Sequence, residues 1–256
     1  MKKFDNKIVV ITGGGRGIGR ELAFAFAGEG AKLVICSRTQ HELEEVVNVI
    51  KRNDGKAIYS ICDIQNHQNV LELVNKTIST YGIPDILINC AGLLSIEPAE
   101  DIEMNTWNKV IGTNLTGTFD VCKEVAKVMF KKRKGKIVNF ASLLSFVAFP
   151  QRAAYAASKA GLMQLTKVLG VEWIKMGINV NAIVPGMIQA QKQSTHPLQY
   201  QEDFNFNSFL KRIPMGQLGK VRDVIGTVFF LSSSESDYMV GQYIVVDGGW
   251  LSYGYL

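Results

Sequence analysis

Six short, nearly unbroken apolar runs recur along this chain: Ile8-Val9-Val10-Ile11, Leu33-Val34-Ile35-Cys36, Ile86-Leu87-Ile88, Ile137-Val138, Ile178 to Val184 and Ile244-Val245-Val246. Longer stretches with apolar residues at helical spacing separate them, as at Leu43, Val46, Val47 and Ile50. A strand without alternation must be covered on both faces, and in a parallel sheet the crossover helices supply that cover. The pattern therefore predicts an α/β fold, one doubly wound domain over 1–256 with helices on both faces. A weaker run from Ala57 to Ile61 brings the expected parallel sheet to seven strands. Only the segment at about 189–214 breaks the rhythm; polar and aromatic by turns, it reads as an insertion.

The first strand runs into Thr12-Gly13-Gly14-Gly15-Arg16-Gly17-Ile18-Gly19 and then into a helical pattern. Such a junction lets backbone amides and the positive end of a helix approach a pyrophosphate, so the expected guest is a dinucleotide. The spacing is G-x-x-x-G-x-G through Gly13, Gly17 and Gly19; a G-x-G-x-x-G reading fails because position 20 is Arg. At the end of the second strand, where an acidic residue would take the ribose hydroxyls of NAD, stand Ser37 and Arg38. Arg38 and Arg16 are placed to receive a 2′-phosphate, which predicts NADP(H) in preference to NAD(H).

In the stretch QRAAYAASKAGLMQL, Tyr155 and Lys159 stand four apart on an expected helix and so share one face. An ammonium beside a phenol favours the phenolate, which predicts a Tyr155 pKa drawn down from its ordinary value near about 10. Ser142 follows the strand at Ile137-Val138, at the carboxyl edge where sheets of this kind bind ligands.

These stretches, with others, resemble the classical short-chain dehydrogenase/reductase family over almost the whole chain. Thr12 to Gly19 are similar to that family's cofactor turn, Asp63-Ile64 to its adenine-side contact, and Asn89-Cys90-Ala91-Gly92 to its fourth-strand motif. Asn114, Ser142, Tyr155 and Lys159 are similar to its catalytic tetrad, Val184-Pro185-Gly186-Met187-Ile188 to its nicotinamide-side segment, and Val246-Asp247-Gly248-Gly249 to its final strand. The resemblance implies a Rossmann-type fold and an oxidoreductase acting between C=O and CH-OH groups. In it, Tyr155 exchanges the proton with the substrate oxygen, Ser142 polarises that oxygen, Lys159 lowers the Tyr155 pKa and holds the nicotinamide ribose, and Asn114 supports a proton-carrying water. Gly13, Gly15, Arg16, Gly17, Ile18, Gly19, Ser37, Arg38, Asp63, Ile64, Asn89, Ala91, Gly92, Tyr155, Lys159, Pro185, Gly186 and Ile188 are the residues expected at the cofactor. Relatives often carry Thr two residues after the position of Ile188; this chain has Ala190.

The expected substrate is a ketone or 3-oxoacyl thioester with an apolar arm, held between the tetrad and a lid at about 189–214. Leu143, Leu144, Phe149, Met187, Tyr200 and Phe204 are its expected walls, more apolar than charged. A sugar acid or polyol on the same scaffold is one alternative, and a non-catalytic dinucleotide sensor is another. The Lys131 to Lys134 run offers an acidic acyl carrier a docking point.

The remaining features exclude more than they assign. A net charge of +5 with scattered basic residues argues against a nucleic-acid surface. The only apolar stretch near the amino terminus, Ile8 to Ile11, is too short for a signal or a membrane span, so a cytoplasmic protein is expected. Cys36, Cys62, Cys90 and Cys122 lie far apart, which points to neither a disulfide framework nor a metal site. His41, His67 and His196 read as surface or packing residues, and Asp63 has a simpler reading as a helix cap. The apolar tail from Trp250 to Leu256, together with Leu162, Leu165, Leu169 and Trp173, predicts a homo-oligomer, which the resemblance makes a homotetramer.

Overall fold

A computed structural model describes residues 2–189 and 210–254. Its seven-stranded sheet has the order β3-β2-β1-β4-β5-β6-β9, every neighbouring pair parallel. The strands are β1 (Ile8–Thr12), β2 (Lys32–Ser37), β3 (Lys56–Ile61), β4 (Ile86–Asn89), β5 (Gly135–Phe140), β6 (Ile178–Pro185) and β9 (Tyr243–Val246). All seven coincide with the apolar runs. Ile188–Gln189 (β7) and Gly219–Lys220 (β8) form a separate small pair.

The central strands β1, β4, β5 and β6 are buried at every residue, which is why their sequences do not alternate. Helices α1 (Gly17–Gly28), α2 (Gln40–Arg52) and α7 (Val221–Leu231) cover one face around Leu22, Phe26, Leu43 and Val224. Phe4, Phe26 and Phe229 interlock there with ring centres 4.8–4.9 Å apart. On the other face, α3 (His67–Tyr81), α5 (Thr118–Lys132) and α6 (Ala153–Trp173) close over Val10, Leu87 and Ile137. Helix α4 (Met104–Ile111) passes through a π-helical turn, Gly112–Gly117, into α5.

The order reverses between β1 and β4, whose following segments leave in opposite directions and open a crevice at their carboxyl ends, the place where such sheets bind ligands. Leu162, Leu169 and Trp173 on α6 face the chain's own core, and Trp250 is 4% exposed, packed on Phe149 at 5.7 Å between ring centres, whereas Tyr253 is exposed. The free apolar positions of α6 are Val168 and Val171 instead. The expected lid lies mostly outside the described residues, as do Tyr200, Phe204, Phe206, Phe209 and His196. Among the described residues no helix is long and apolar enough to cross a membrane.

Candidate active site

The crevice holds two adjoining cavities of about 340 and 310 Å³, which share Ile18, Cys90 and Gly92. The first is the glycine groove. Gly13 has φ +69°, and a Cβ there would stand 2.9 Å from the Ala91 Cα, while a Cβ on Gly19 would run into the Gly13 carbonyl. Only glycine lets β1, α1 and the segment after β4 approach so closely. Arg16 occupies the N-cap of α1 without capping it, so no side chain competes for the first amides of that helix. Open amides, a positive helix end and a cradle that any side chain would fill fit the pyrophosphate of a dinucleotide.

Gly15, Gly17, Ile18, Ser37, Arg38, Asp63, Ile64, Ala91 and Gly92 line the same cavity. Asp63 is no helix cap: Asn66 caps α3 by accepting from Asn69 N at 3.2 Å, and Asp63 accepts from Gln65 N within its own turn. Asn89 departs from expectation. Its amide donates to Asn139 Oδ1 at 2.9 Å and to Cys122 Sγ at 3.1 Å beneath the crevice, so it ties β4 to β5 and faces neither cavity. Glu42, which the sequence reading passed over, enters this cavity with its carboxylate 4.0 Å from the Arg16 guanidinium. Position 42, in the first turn of α2 and five residues past Ser37, was the available signal.

The second cavity brings Ser142, Tyr155 and Lys159 together with Pro185, Gly186 and Ile188. Ser142 follows β5, where its Oγ accepts from Leu144 N at 3.2 Å; that bond leaves the hydroxyl proton free to donate. Tyr155 and Lys159 sit one turn apart on α6. Lys159 Nζ donates to the Phe140 carbonyl at 2.6 Å and lies 5.7 Å from the centre of the Tyr155 ring. Burial pushes the amine down to about 8. The same burial pushes the Tyr155 phenol up, opposed by its hydrogen bond with Ser142. The expected depression of the phenol is therefore reversed in the protein alone, because desolvation of a phenolate outweighs the hydrogen bond from Ser142.

Asn114 lies in the π-helical turn, fully buried. Its Oδ1 accepts from Leu93 N at 2.7 Å, and its amide donates to Leu93 O at 2.9 Å and Ser158 Oγ at 3.0 Å. Both amide protons are thereby spent on fixing the loop after β4 to α6.

The walls Leu144, Phe149 and Met187 are apolar as expected, but Arg152 is not. Its side chain is 4% exposed, and burial pushes its pKa down. Three residues before Tyr155, it was within reach of the same spacing argument. His67, exposed, pairs with Asp120 at 2.8 Å, and His41 is exposed, both away from the two cavities. Among the described residues the four cysteines are free thiols. The Lys131 to Lys134 run lies at the opposite edge of the sheet, six residues of β5 and roughly 20 Å from Ser142. There Lys132 bonds Asp85 at 2.8 Å and Arg133 bonds the Lys175 carbonyl at 2.7 Å.

A glycine groove opening into a cavity with a hydroxyl, a phenol and an amine defines a dinucleotide-linked oxidoreductase acting between carbonyls and alcohols. The family model for short chain dehydrogenase matches residues 7–201, and the chain belongs to the short-chain dehydrogenase/reductase family. It is 34% identical to a 3-oxoacyl-[acyl-carrier-protein] reductase of Thermotoga maritima, over 96% of this chain and 98% of that one. It is 38% identical to a 2-dehydro-3-deoxy-D-gluconate 5-dehydrogenase of Bacillus subtilis, over 96% and 95%. Among solved structures, a gluconate 5-dehydrogenase from Burkholderia cenocepacia in complex with NADP and tartrate superposes with a TM-score of 0.91 at 33% identity, covering 98% of both chains.

Proposed function

We propose that this protein interconverts a ketone and a secondary alcohol with NADP(H), through Ser142, Tyr155, Lys159 and Asn114. The observation that carries the reading is the convergence of the Ser142 hydroxyl, the Tyr155 phenol and the Lys159 amine in a cavity continuous with the glycine groove. When bound, the nicotinamide supplies the hydride to the carbonyl carbon or receives it from the alcohol.

The chain's own residues handle the proton. Tyr155 gives its proton to the substrate oxygen during reduction, and a phenol pushed up by burial is protonated at neutral pH, as an acid must be. Ser142, held by Leu144 N, donates to the same oxygen. Lys159, with a pKa of about 8, exchanges protons near neutrality and restores the Tyr155 proton. Asn114 keeps α6 and the loop after β4 in register.

Arg16 and Arg38 at the adenosine end support NADP(H); Glu42 beside Arg16 keeps NAD(H) as the alternative. Leu144, Phe149 and Met187 support a 3-oxoacyl or similar ketone with an apolar arm, and Arg152 favours the second reading, a sugar acid. A homotetramer is the proposed assembly, with Phe119, Val168 and Val171 as exposed apolar positions to cover. Light scattering at micromolar concentration tests it, and a monomer would count against it.

Absorbance of NADPH followed over 3-oxoacyl thioesters, diketones and sugar acids tests the main reading. Turnover with NADPH in preference to NADH supports it; no turnover of any ketone sinks it.

A further inference from the structure

The cavity that holds Ser142, Tyr155 and Lys159 contains a further buried cation, Arg152, with no carboxylate partner among the described residues. Arg152 is 4% exposed, and among the described residues its side chain makes one hydrogen bond, from Nη1 to the Gln151 carbonyl at 3.1 Å. Among the described residues no carboxylate lies within ion-pair distance of it, and none lines the cavity. A guanidinium carries five N–H donors in a fixed fork, and the described residues accept from only one of its nitrogens.

Such an arrangement costs stability. Buried charges are normally paired, and burial here weakens the hold of Arg152 on its proton. Gln151, which accepts from Arg152 and from Glu97 N at 3.1 Å, adopts φ +62°, a left-handed conformation that a residue with a side chain rarely takes. Arg152, buried three positions before Tyr155, lines the same cavity as Ser142, Tyr155 and Lys159.

We infer that the substrate carries a carboxylate, which Arg152 receives as a fork while Ser142 and Tyr155 take the reacting oxygen. This inference rests on the oxidoreductase reading and narrows its substrate to keto acids and the matching hydroxy acids. The fork geometry matches a carboxylate on two parallel bonds, and Lys159 in the same cavity adds attraction for an anion, with no acid among its described lining residues.

The test compares linear keto acids of five and six carbons, 5-keto-D-gluconate among them, each with its own primary amide, in NADPH-dependent reduction. The wild-type kcat/KM is expected to favour at least one acid over its amide by tenfold or more. Arg152→Gln should bring that ratio close to one, while fluorescence titration still detects NADPH binding. Arg152→Lys, which keeps the charge without the fork, should retain part of the ratio and covers the case in which Arg152→Gln does not fold. Amides reduced as well as acids by the wild type, or a preference that survives Arg152→Gln, overturns the inference and leaves the oxidoreductase reading standing. Failure of the wild type to reduce any ketone overturns both.

Discussion

Lys159 Nζ lies 5.7 Å from the centre of the Tyr155 ring, one helical turn along α6, with the amine fastened to the Phe140 carbonyl at 2.6 Å. The bond to the end of β5 matters as much as the helical spacing. It fixes the amine beside the strand that delivers Ser142, so the three groups keep their relation only while α6 stays docked on the sheet.

Tyr155→Phe removes the proton donor and keeps the ring. The kcat for reduction is expected to fall by about 10²- to 10⁴-fold, the usual worth of a positioned acid, with little change in NADPH affinity by fluorescence titration. An unchanged kcat would remove Tyr155 from the mechanism.

The Lys159 amine, pushed down to about 8, is charged below that pH and neutral above it. The kcat/KM for reduction should therefore decline as pH rises through about 8, since fewer molecules hold the proton that resupplies Tyr155, and Lys159→Met should lose that inflection. Stability should respond in the opposite sense. Between about 8 and 10.5 the unfolded chain binds the proton that the folded one does not, so this group makes the fold more stable as pH rises through that window and costs stability below it. Urea unfolding at pH 7 should accordingly find Lys159→Met more stable by about 1–2 kcal/mol, a gain held down by the lost bond to Phe140.

Glu42 lies 4.0 Å from the Arg16 guanidinium, the group proposed for the 2′-phosphate of NADP(H). Glu42→Gln should lower the KM for NADPH by about two- to fivefold, the scale of an exposed charge interaction, and leave that for NADH nearly unchanged. Equal shifts for both cofactors would place Glu42 outside 2′-phosphate recognition.

Gly19→Ala would drive a methyl into the Gly13 carbonyl, where backbone rather than a flexible side chain must yield. Thermal unfolding should show a loss of about 1–3 kcal/mol together with weakened NADPH binding. Gly28→Ala, in the same helix with open space around it, should change neither.

The glycine groove was legible because its cause is local. A strand, a turn that needs Gly13 and Gly19, and a helix follow one another directly, and few other foldings of that order exist. Tyr155 and Lys159 were legible through the helical period. Asn89 misled because it sits at the carboxyl end of β4, beside the groove, and a strand's last residue can face either way; the pairing of Asn89 with Asn139 across β4 and β5 turned it into the core. The α6 residues read as an oligomer face proved to be core for a similar reason, since apolar spacing gives a stripe without saying which body covers it.

Strand positions, the doubly wound order of elements and the dinucleotide turn were thus determined by the sequence itself, because each follows from neighbouring residues and the periods of helix and strand. The acidity of Tyr155 and Lys159, the partners of Asn114 and the burial of Arg152 in the same cavity were decided only by the tertiary structure. Those properties depend on which distant groups exclude water from a side chain and which bond to it, and no local spacing carries that information.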